Sequence, residues 1–330
     1  MLKIGVIGAG HLGKIHINCI KQTSNLQLTG FFDTNPEIVS QVKDEYGIEP
    51  FGSFEDLISS VDVVDIVTPT FAHFDYAAFA LKHFKHVFIE KPIVTTPEEA
   101  LQLLDIAQEA NVKVQVGHVE RFNPAFLAAQ PYIETPMFIE AHRLSGFSNR
   151  GTDVPVVLDL MIHDIDIVLN IVKANIRKIS ASGASVISNS ADIVNARLEF
   201  DNGCVANLTA SRISLKTMRK VRFFQRDTYI AVDFLNKETE IVRIKDLNGS
   251  QPDPQLIVMD PGNGKGARHL SFERPDIKPV NAIQTELSSF ADAILSNSPP
   301  PVTLMDGYQA LNISYQILDK VNGSLSRFQL

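Results

Sequence analysis

Short β-branched runs alternate with amphipathic stretches through the first third of the chain. Lys3-Ile4-Gly5-Val6-Ile7 has the length and composition of a buried strand, and the segment after it reads as a helix through Ile20. Leu26–Phe32 predicts a second strand. The pattern continues with a helix at Phe54–Ser59, a strand at Val61–Val67, a helix at Phe74–His83 and a strand at His86–Ile89. A helix at Glu98–Ala110 and a strand at Val112–Val116 follow. Such alternation with short connections predicts a parallel sheet covered on both faces. Ligands of these sheets gather at the carboxyl ends of the strands. Here those ends are Thr68-Pro69-Thr70, Glu90-Lys91-Pro92 and Gly117-His118, expected to line one crevice.

The pattern changes near Arg121. Val154–Val172 predicts one helix, with Leu158, Ile162, Ile165, Val168, Leu169 and Val172 at helical spacing. Strand-like runs then follow one another at Val194–Phe200, Cys204–Arg212, Lys220–Gln225, Tyr229–Phe234 and Glu240–Lys245. The first two are joined by Asp201-Asn202-Gly203, which has turn chemistry. Strands without intervening helices predict an antiparallel sheet. Residues 246–280, rich in Gly, Pro, Asn and Asp, read as a long loop. A helix at Asn281–Ser296 is broken by Pro299-Pro300-Pro301, and Asp306 with Gln309 reads as a capping box opening a last helix to about Val321. The chain thus divides at residue 120, into a nucleotide-binding domain (1–120) and a domain for substrate and self-association (121–330), with the C-terminal helix free to pack back on the first.

Composition sharpens this only in part. At 330 residues with 45% hydrophobic and 21% charged positions, the chain has the make-up of a two-domain globular protein. A net charge of −8 argues against a nucleic-acid partner but not against anionic small ligands, because a few local cations can dominate one site. Two cysteines cannot build a disulfide framework. No apolar stretch reaches the length of a membrane span, and the N-terminal MLKIGVIGAG ends in glycines rather than in a cleavage site. A cytoplasmic protein with no membrane partner is the expectation.

Gly8-Ala9-Gly10-His11-Leu12-Gly13 lies between the first strand and the first helix. In a G-x-G-x-x-G turn the first glycine permits the bend and the second lets backbone approach a pyrophosphate. The third lets the helix pack closely on the strand. The helix N-terminus then offers free N–H groups to phosphate. Asp33 stands 20 residues after Gly13, at the end of the second strand, where a carboxylate accepts from ribose hydroxyls and repels a 2′-phosphate. No Arg follows it, so NAD is expected rather than NADP. The alternative is a glycine turn with a helix-capping Asp33 and no nucleotide.

Lys91 follows a strand end and is expected to reach the cofactor crevice; the alternative is a surface lysine. Asp159 and His163 are four residues apart on the predicted helix, one turn apart on one face. Such a pair serves as a general base oriented by a carboxylate, or merely stabilises a helix. Arg121, Asn123, Arg143 and Arg150 are candidate substrate contacts, since guanidinium groups suit phosphate or carboxylate; ordinary ion pairs are the alternative. The cluster Arg219, Lys220, Arg222 and Arg226 reads as solvated sheet charge. A metal centre is not expected, because His163, Asp164 and Asp166 diverge around a helix by about 100° per residue.

These segments, in this order, carry a resemblance. The glycine turn, Thr68-Pro69-Thr70 with His73, Glu90-Lys91-Pro92, Arg121-Phe122-Asn123-Pro124 and Asp159-Leu160-Met161-Ile162-His163-Asp164-Ile165-Asp166 resemble the glucose–fructose oxidoreductase/inositol dehydrogenase family, along nearly the whole chain. The resemblance implies an α/β protein: an N-terminal Rossmann parallel sheet plus a C-terminal α/β domain with a large open, mainly antiparallel sheet. It implies that Lys91, Asp159 and His163 are the catalytic set, with Asp159 orienting either Lys91 or His163. It also implies that Gly8, Gly10, His11, Leu12, Gly13, Asp33, Thr68, Pro69, Thr70, His73, Glu90 and Lys91 surround the NAD. Phe138–Asp166 looks like the subgroup that oxidises the 3-hydroxyl of UDP-N-acetylglucosamine. His118-Val119-Glu120 departs from the small or amide residues that many members carry there. The expected reaction is hydride transfer from a ring carbinol of a sugar or nucleotide sugar. A free sugar or inositol is the alternative substrate, and an NAD-sensing regulator is the alternative without turnover. The open sheet implies a homodimer or homotetramer.

Overall fold

The computed structural model describes residues 1–146, 154–246, 257–259 and 268–325. They form two compact units, Met1–Phe122 with Val280–Tyr315, and Asn123–Pro279 with the chain from Gln316 onward.

The first unit is built on a five-stranded parallel sheet in the order β2-β1-β3-β4-β5. Its strands are β1 (Leu2–Ile7), β2 (Leu26–Phe32), β3 (Val63–Ile66), β4 (His86–Glu90) and β5 (Val114–Gly117). Between them run α1 (His11–Lys21), α2 (Pro36–Tyr46), α3 (Phe54–Ser60), α4 (His73–Lys82) and α5 (Pro97–Ala110). The helices start where the sequence supplies a cap. Asn35 accepts from the Glu37 N–H with Pro36 at the first helical position, and Thr96 with Glu99 makes a reciprocal capping box. Ile4, Val6, Ile17, Ile20, Phe31 and Phe88 form a core beneath α1. Later residues complete it. Leu287, Phe290 and Ala291 of α8 (Ala282–Leu295) pack into the same cluster. The outer edge of β5 is covered, as Gln115 bridges Thr303 and the Val116 N–H donates to the Val302 carbonyl.

The second unit holds a nine-stranded sheet among the described residues. Its strands are β6 (Phe138–Leu144), β7 (Ile176–Ala184), β8 (Ile193–Phe200), β9 (Val205–Ser211), β10 (Met218–Phe224), β11 (Thr228–Asp233), β12 (Glu238–Asp246), β13 (Ile257–Met259) and β14 (Arg268–Glu273). The order is β13-β14-β12-β11-β10-β6-β9-β8-β7, antiparallel throughout except for the central parallel pair β6–β9. Alternate residues are buried: Ile139 and Ala141, Val194, Ala196, Leu198 and Phe200, Ala206 and Leu208, Val221 and Phe223. Helix α6 (Pro124–Ala129) packs against β11 and β12, and α7 (Ile162–Val172) against β6 and β9. The opposite face is polar, with Asn195 donating to Thr209 and Arg197 to Asn207 across strands.

Several expectations change. Val154–Val172 is not one α-helix: Val157–Met161 is π-helical and α7 begins at Ile162. Residues 246–280 are not only loop, since β13 and β14 lie within them. Helix α2 and strands β6 and β7 are additions. Helix α9 (Leu304–Leu325) does not open on an Asp306–Gln309 box. Thr303 Oγ1 accepts from the Asp306 N–H and Asp306 Oδ2 accepts from the Thr303 N–H, so Asp306 is the third helical residue of a Thr303 box. Of the cationic cluster, Lys220 pairs with Asp233 at 3.0 Å and Arg222 with Glu140 at 3.0 Å, both pairs partly exposed.

Candidate functional site

The glycine turn shows three different requirements. Gly8 has φ +94°, and a Cβ there would lie 2.8 Å from the Val67 carbonyl oxygen. A Cβ on Gly13 would lie 2.0 Å from the Gly8 carbonyl oxygen, which is rigid backbone. Gly10 has nothing within 4 Å of its missing Cβ, leaving an open approach at the start of α1. No side chain caps α1 and no acid occupies its first turn, so its N–H groups and positive end are left for an anion.

A pocket of about 350 Å³ adjoins this turn, lined by Gly8, Gly10, Asp33, Thr68, Pro69 and Tyr76 among others. Asp33 Oδ2 accepts from the Ala9 N–H at 2.8 Å and Oδ1 from the Asn35 N–H at 2.8 Å. The carboxylate is therefore fixed at the end of β2, and each oxygen keeps a second lone pair for a ligand hydroxyl. The pocket, the uncapped helix end and the fixed carboxylate together have the chemistry of a dinucleotide site. His11, Leu12 and Gly13 form the first turn of α1, and Thr70 opens a short 3₁₀ turn leading into α4.

Glu90-Lys91-Pro92 and Gly117-His118 follow the neighbouring strands and do not line this pocket. Glu90 is 8% exposed; its Oε2 accepts from the Lys91 N–H at 3.1 Å. His73 does not present a nitrogen to a ligand. Its Nδ1 lies 2.9 Å from the Pro92 carbonyl oxygen and its Nε2 2.8 Å from that of Thr68, and the ring is buried. Burial lowers its pKa against the opposing pull of those carbonyls. The Lys91-Pro92 peptide is cis.

Sequence reading passed over His16 and Asp65. His16 Nδ1 donates to Asp65 Oδ2 at 2.9 Å, and His16 Nε2 lies 3.3 Å from Glu90 Oε1, an ion-pair contact without hydrogen-bond geometry. Burial alone would lower the His16 pKa, but the two carboxylates override it and hold the imidazole protonated well above its usual range. Burial tends to raise Glu90, yet His16 and then Lys91 bring it down. Asp65 is raised by burial. One signal was available: an aspartate inside the apolar run Val61–Val67 requires a buried partner.

In the second unit Asp159 lies in the π-helical turn and His163 in the first turn of α7, both half-buried. The wider turn alters the angle between them from that of a regular helix. The candidate substrate residues have structural partners. Arg143 makes a forked ion pair to Asp164, Nη2 to Oδ1 at 2.8 Å and Nε to Oδ2 at 3.1 Å, with both side chains buried. Asn123 caps α6 through the Ala125 N–H and donates to the Phe234 carbonyl. Arg121 in the first unit donates to the Pro301 carbonyl and lies 3.4 Å from Asp306. Arg150 and the neighbouring Asp153 lie outside the described residues.

The chain matches known proteins along its length. Residues 2–118 match the profile described as the oxidoreductase family with an NAD-binding Rossmann fold, and residues 129–226 that of the GFO/IDH/MocA C-terminal domain. The chain is 34% identical over 327 residues to UDP-N-acetylglucosamine 3-dehydrogenase from Acidithiobacillus ferrooxidans, covering 99% of each chain. A crystal form of that enzyme superposes with a TM-score of 0.89 over 99% of each chain. Myo-inositol 2-dehydrogenase of Thermotoga maritima is 23% identical over 95% of this chain and 94% of its own. The scyllo-inositol dehydrogenase of Lactobacillus casei, solved with NAD(H) and scyllo-inositol, shares the fold at a TM-score of 0.76, 23% identity, and 98% and 97% coverage. With both domain profiles matched and a relative aligned from end to end, the chain belongs to the Gfo/Idh/MocA family of NAD-binding oxidoreductases.

Proposed function

We propose that the protein oxidises the 3-hydroxyl of UDP-N-acetylglucosamine to a 3-keto sugar. The observation that carries this reading is the 34% identity to a UDP-N-acetylglucosamine 3-dehydrogenase over 99% of both chains. NAD, rather than NADP, is supported by Asp33 at the pocket rim, whose charge would repel a 2′-phosphate.

The nicotinamide ring, when bound, accepts the hydride. The chain must do the rest. The carbinol loses a proton as its hydride departs, so one group must take that proton and a cation must meet the charge growing on oxygen. We assign the proton to His163 and the cation to Lys91, with Asp159 orienting one of them. Arg150 is kept as a candidate contact for the diphosphate. Arg121, Arg143 and Asn123 would reach substrate only alongside the internal bonds they already make.

The test is a panel. With UDP-N-acetylglucosamine and NAD, absorbance of reduced nicotinamide is expected to rise; glucose, inositol and other UDP-sugars should be oxidised at least about tenfold more slowly in kcat/KM. NADP in place of NAD should cost a similar factor. Turnover of inositol or free glucose alone would give the protein to the polyol branch, and binding of NAD without turnover of anything would make it a regulator.

Self-association through the large sheet is part of the same proposal. Its polar outer face, with laddered Asn195, Thr209, Arg197 and Asn207, suits a wet, hydrogen-bonded interface in a homodimer or homotetramer. A monomer by light scattering at micromolar concentration would remove it. Among the described residues no helix is long and apolar enough to cross a membrane. Two buried cysteines that form no disulfide agree with a cytoplasmic setting.

A further inference from the structure

We propose that the buried trio His16, Asp65 and Glu90 is a positioning device for Lys91, tying its backbone to the dinucleotide-binding helix. The proposal rests on the role of Lys91 in the reaction above.

The trio is costly. His16 and Asp65 are fully buried and Glu90 is 8% exposed, in a sheet whose neighbouring positions Val63, Val64 and Ile66 are apolar. Apolar residues of similar size would serve stability at least as well as buried charges. Stability therefore does not explain their presence, whereas fixed orientation does.

Their connections run toward one residue. His16 stands on α1, whose N-terminus opens the glycine turn. Asp65 lies on the next strand, β3, and holds the Nδ1 edge of the ring at 2.9 Å. The Nε2 edge faces Glu90 Oε1, and the other Glu90 oxygen takes the Lys91 N–H. A protonated imidazole ties the two carboxylates together, hydrogen-bonded to Asp65 and ion-paired with Glu90. Gly117 makes room: a Cβ there would lie 2.7 Å from Glu90 Oε1. The far side of Lys91 is held independently, since the Pro92 carbonyl meets His73, which also meets Thr68 in the wall of the nucleotide pocket. Lys91 is thus pinned before and after in sequence, each time by a histidine that also reaches an element of the dinucleotide site. A displacement of 1 Å at a reacting group costs on the order of 10²-fold in rate, which gives such pinning its value.

The decisive variant is Glu90→Gln, nearly isosteric, which removes the charge that faces both His16 and Lys91. NADH binding, followed by nicotinamide fluorescence, is expected to stay within about threefold of wild type, and kcat on the sugar that wild type oxidises to fall at least about tenfold, with KM little changed. In a Lys91→Ala background the same change should cost less than about twofold, because the residue it acts through is gone. Hydrogen exchange at the Lys91 amide should speed up at least about tenfold, a readout independent of turnover. A second variant, His16→Leu/Asp65→Val/Glu90→Gln, leaves no buried charge unpaired and guards against misfolding: a structural role predicts that it preserves both melting temperature and kcat, whereas positioning predicts a preserved melting temperature with kcat still lowered. Wild-type kcat in folded, NADH-binding Glu90→Gln, or an equal further loss in the Lys91→Ala background, would overturn the proposal. Full turnover by Lys91→Ala alone would instead overturn the catalytic reading of Lys91.

Discussion

Lys91→Ala is expected to lower kcat by about 10²–10³-fold while NAD affinity stays near wild type. The range is that for removing one preorganised donor from a developing oxyanion. The variant is clean because the contacts that shape the turn are made by backbone and neighbours: the Lys91 N–H to Glu90, and the Pro92 carbonyl to His73. Alanine keeps these backbone contacts and removes the side chain beyond Cβ, the ammonium group included. A loss confined to KM would mean that Lys91 binds the substrate's ground state; kcat within a few fold of wild type would remove Lys91 from the chemistry.

His163→Ala is expected to cost at least about 10²-fold in kcat, within the 10²–10⁴ range of general acid–base catalysis. His163 is half-buried in the first turn of α7, so its removal leaves a modest cavity, and melting temperature should move little. Added imidazole should restore part of the rate, because a small diffusible base can occupy the vacated space. A variant with normal turnover, or one with no response to imidazole, would pass the proton to another group. Asp159→Asn in the same assay separates its two possible partners: if Asp159 orients His163, it should add little to His163→Ala.

Much of the first unit was legible because its strands are apolar on both faces and its helices carry caps. Glycine turn, strand and Asp33 fell in register, and the structure excludes a side chain at Gly8 and Gly13 while leaving Gly10 open. Helix α2 was overlooked although Asn35-Pro36-Glu37 and Gly47, which adopts φ +63°, mark both of its ends. The second unit hid more. Strand β7 alternates small and polar residues such as Ser180 and Ser182, so its period carries little hydrophobic contrast. Strand β6 has Arg143 on its buried side, which makes sense only once Asp164 is opposite it. The π-helical turn at Val157–Met161 leaves the apolar spacing almost unchanged and so leaves no mark in the sequence. For Arg121, Asn123 and Arg143 the sequence shows charge and amide groups but not the partners they have in the fold, Asp306, Phe234 and Asp164. His16 escaped for the opposite reason, since on a helix it occupies a position that an apolar residue would also fill.

The first unit is assembled from two separate pieces of chain, Met1–Phe122 and Val280–Tyr315. That has a consequence for synthesis on the ribosome. When Phe122 has been made, the cluster containing Ile17, Ile20 and Phe88 still lacks Leu287, Phe290 and Ala291, and the edge of β5 still lacks Val302 and Thr303. At about 5–20 residues per second the missing piece arrives on the order of ten seconds or more later. During that interval the nascent chain carries an unpaired strand edge and an open apolar patch, both recognised causes of aggregation. The dinucleotide half, although encoded first, is therefore completed only after Asn123–Pro279 of the other unit has been made.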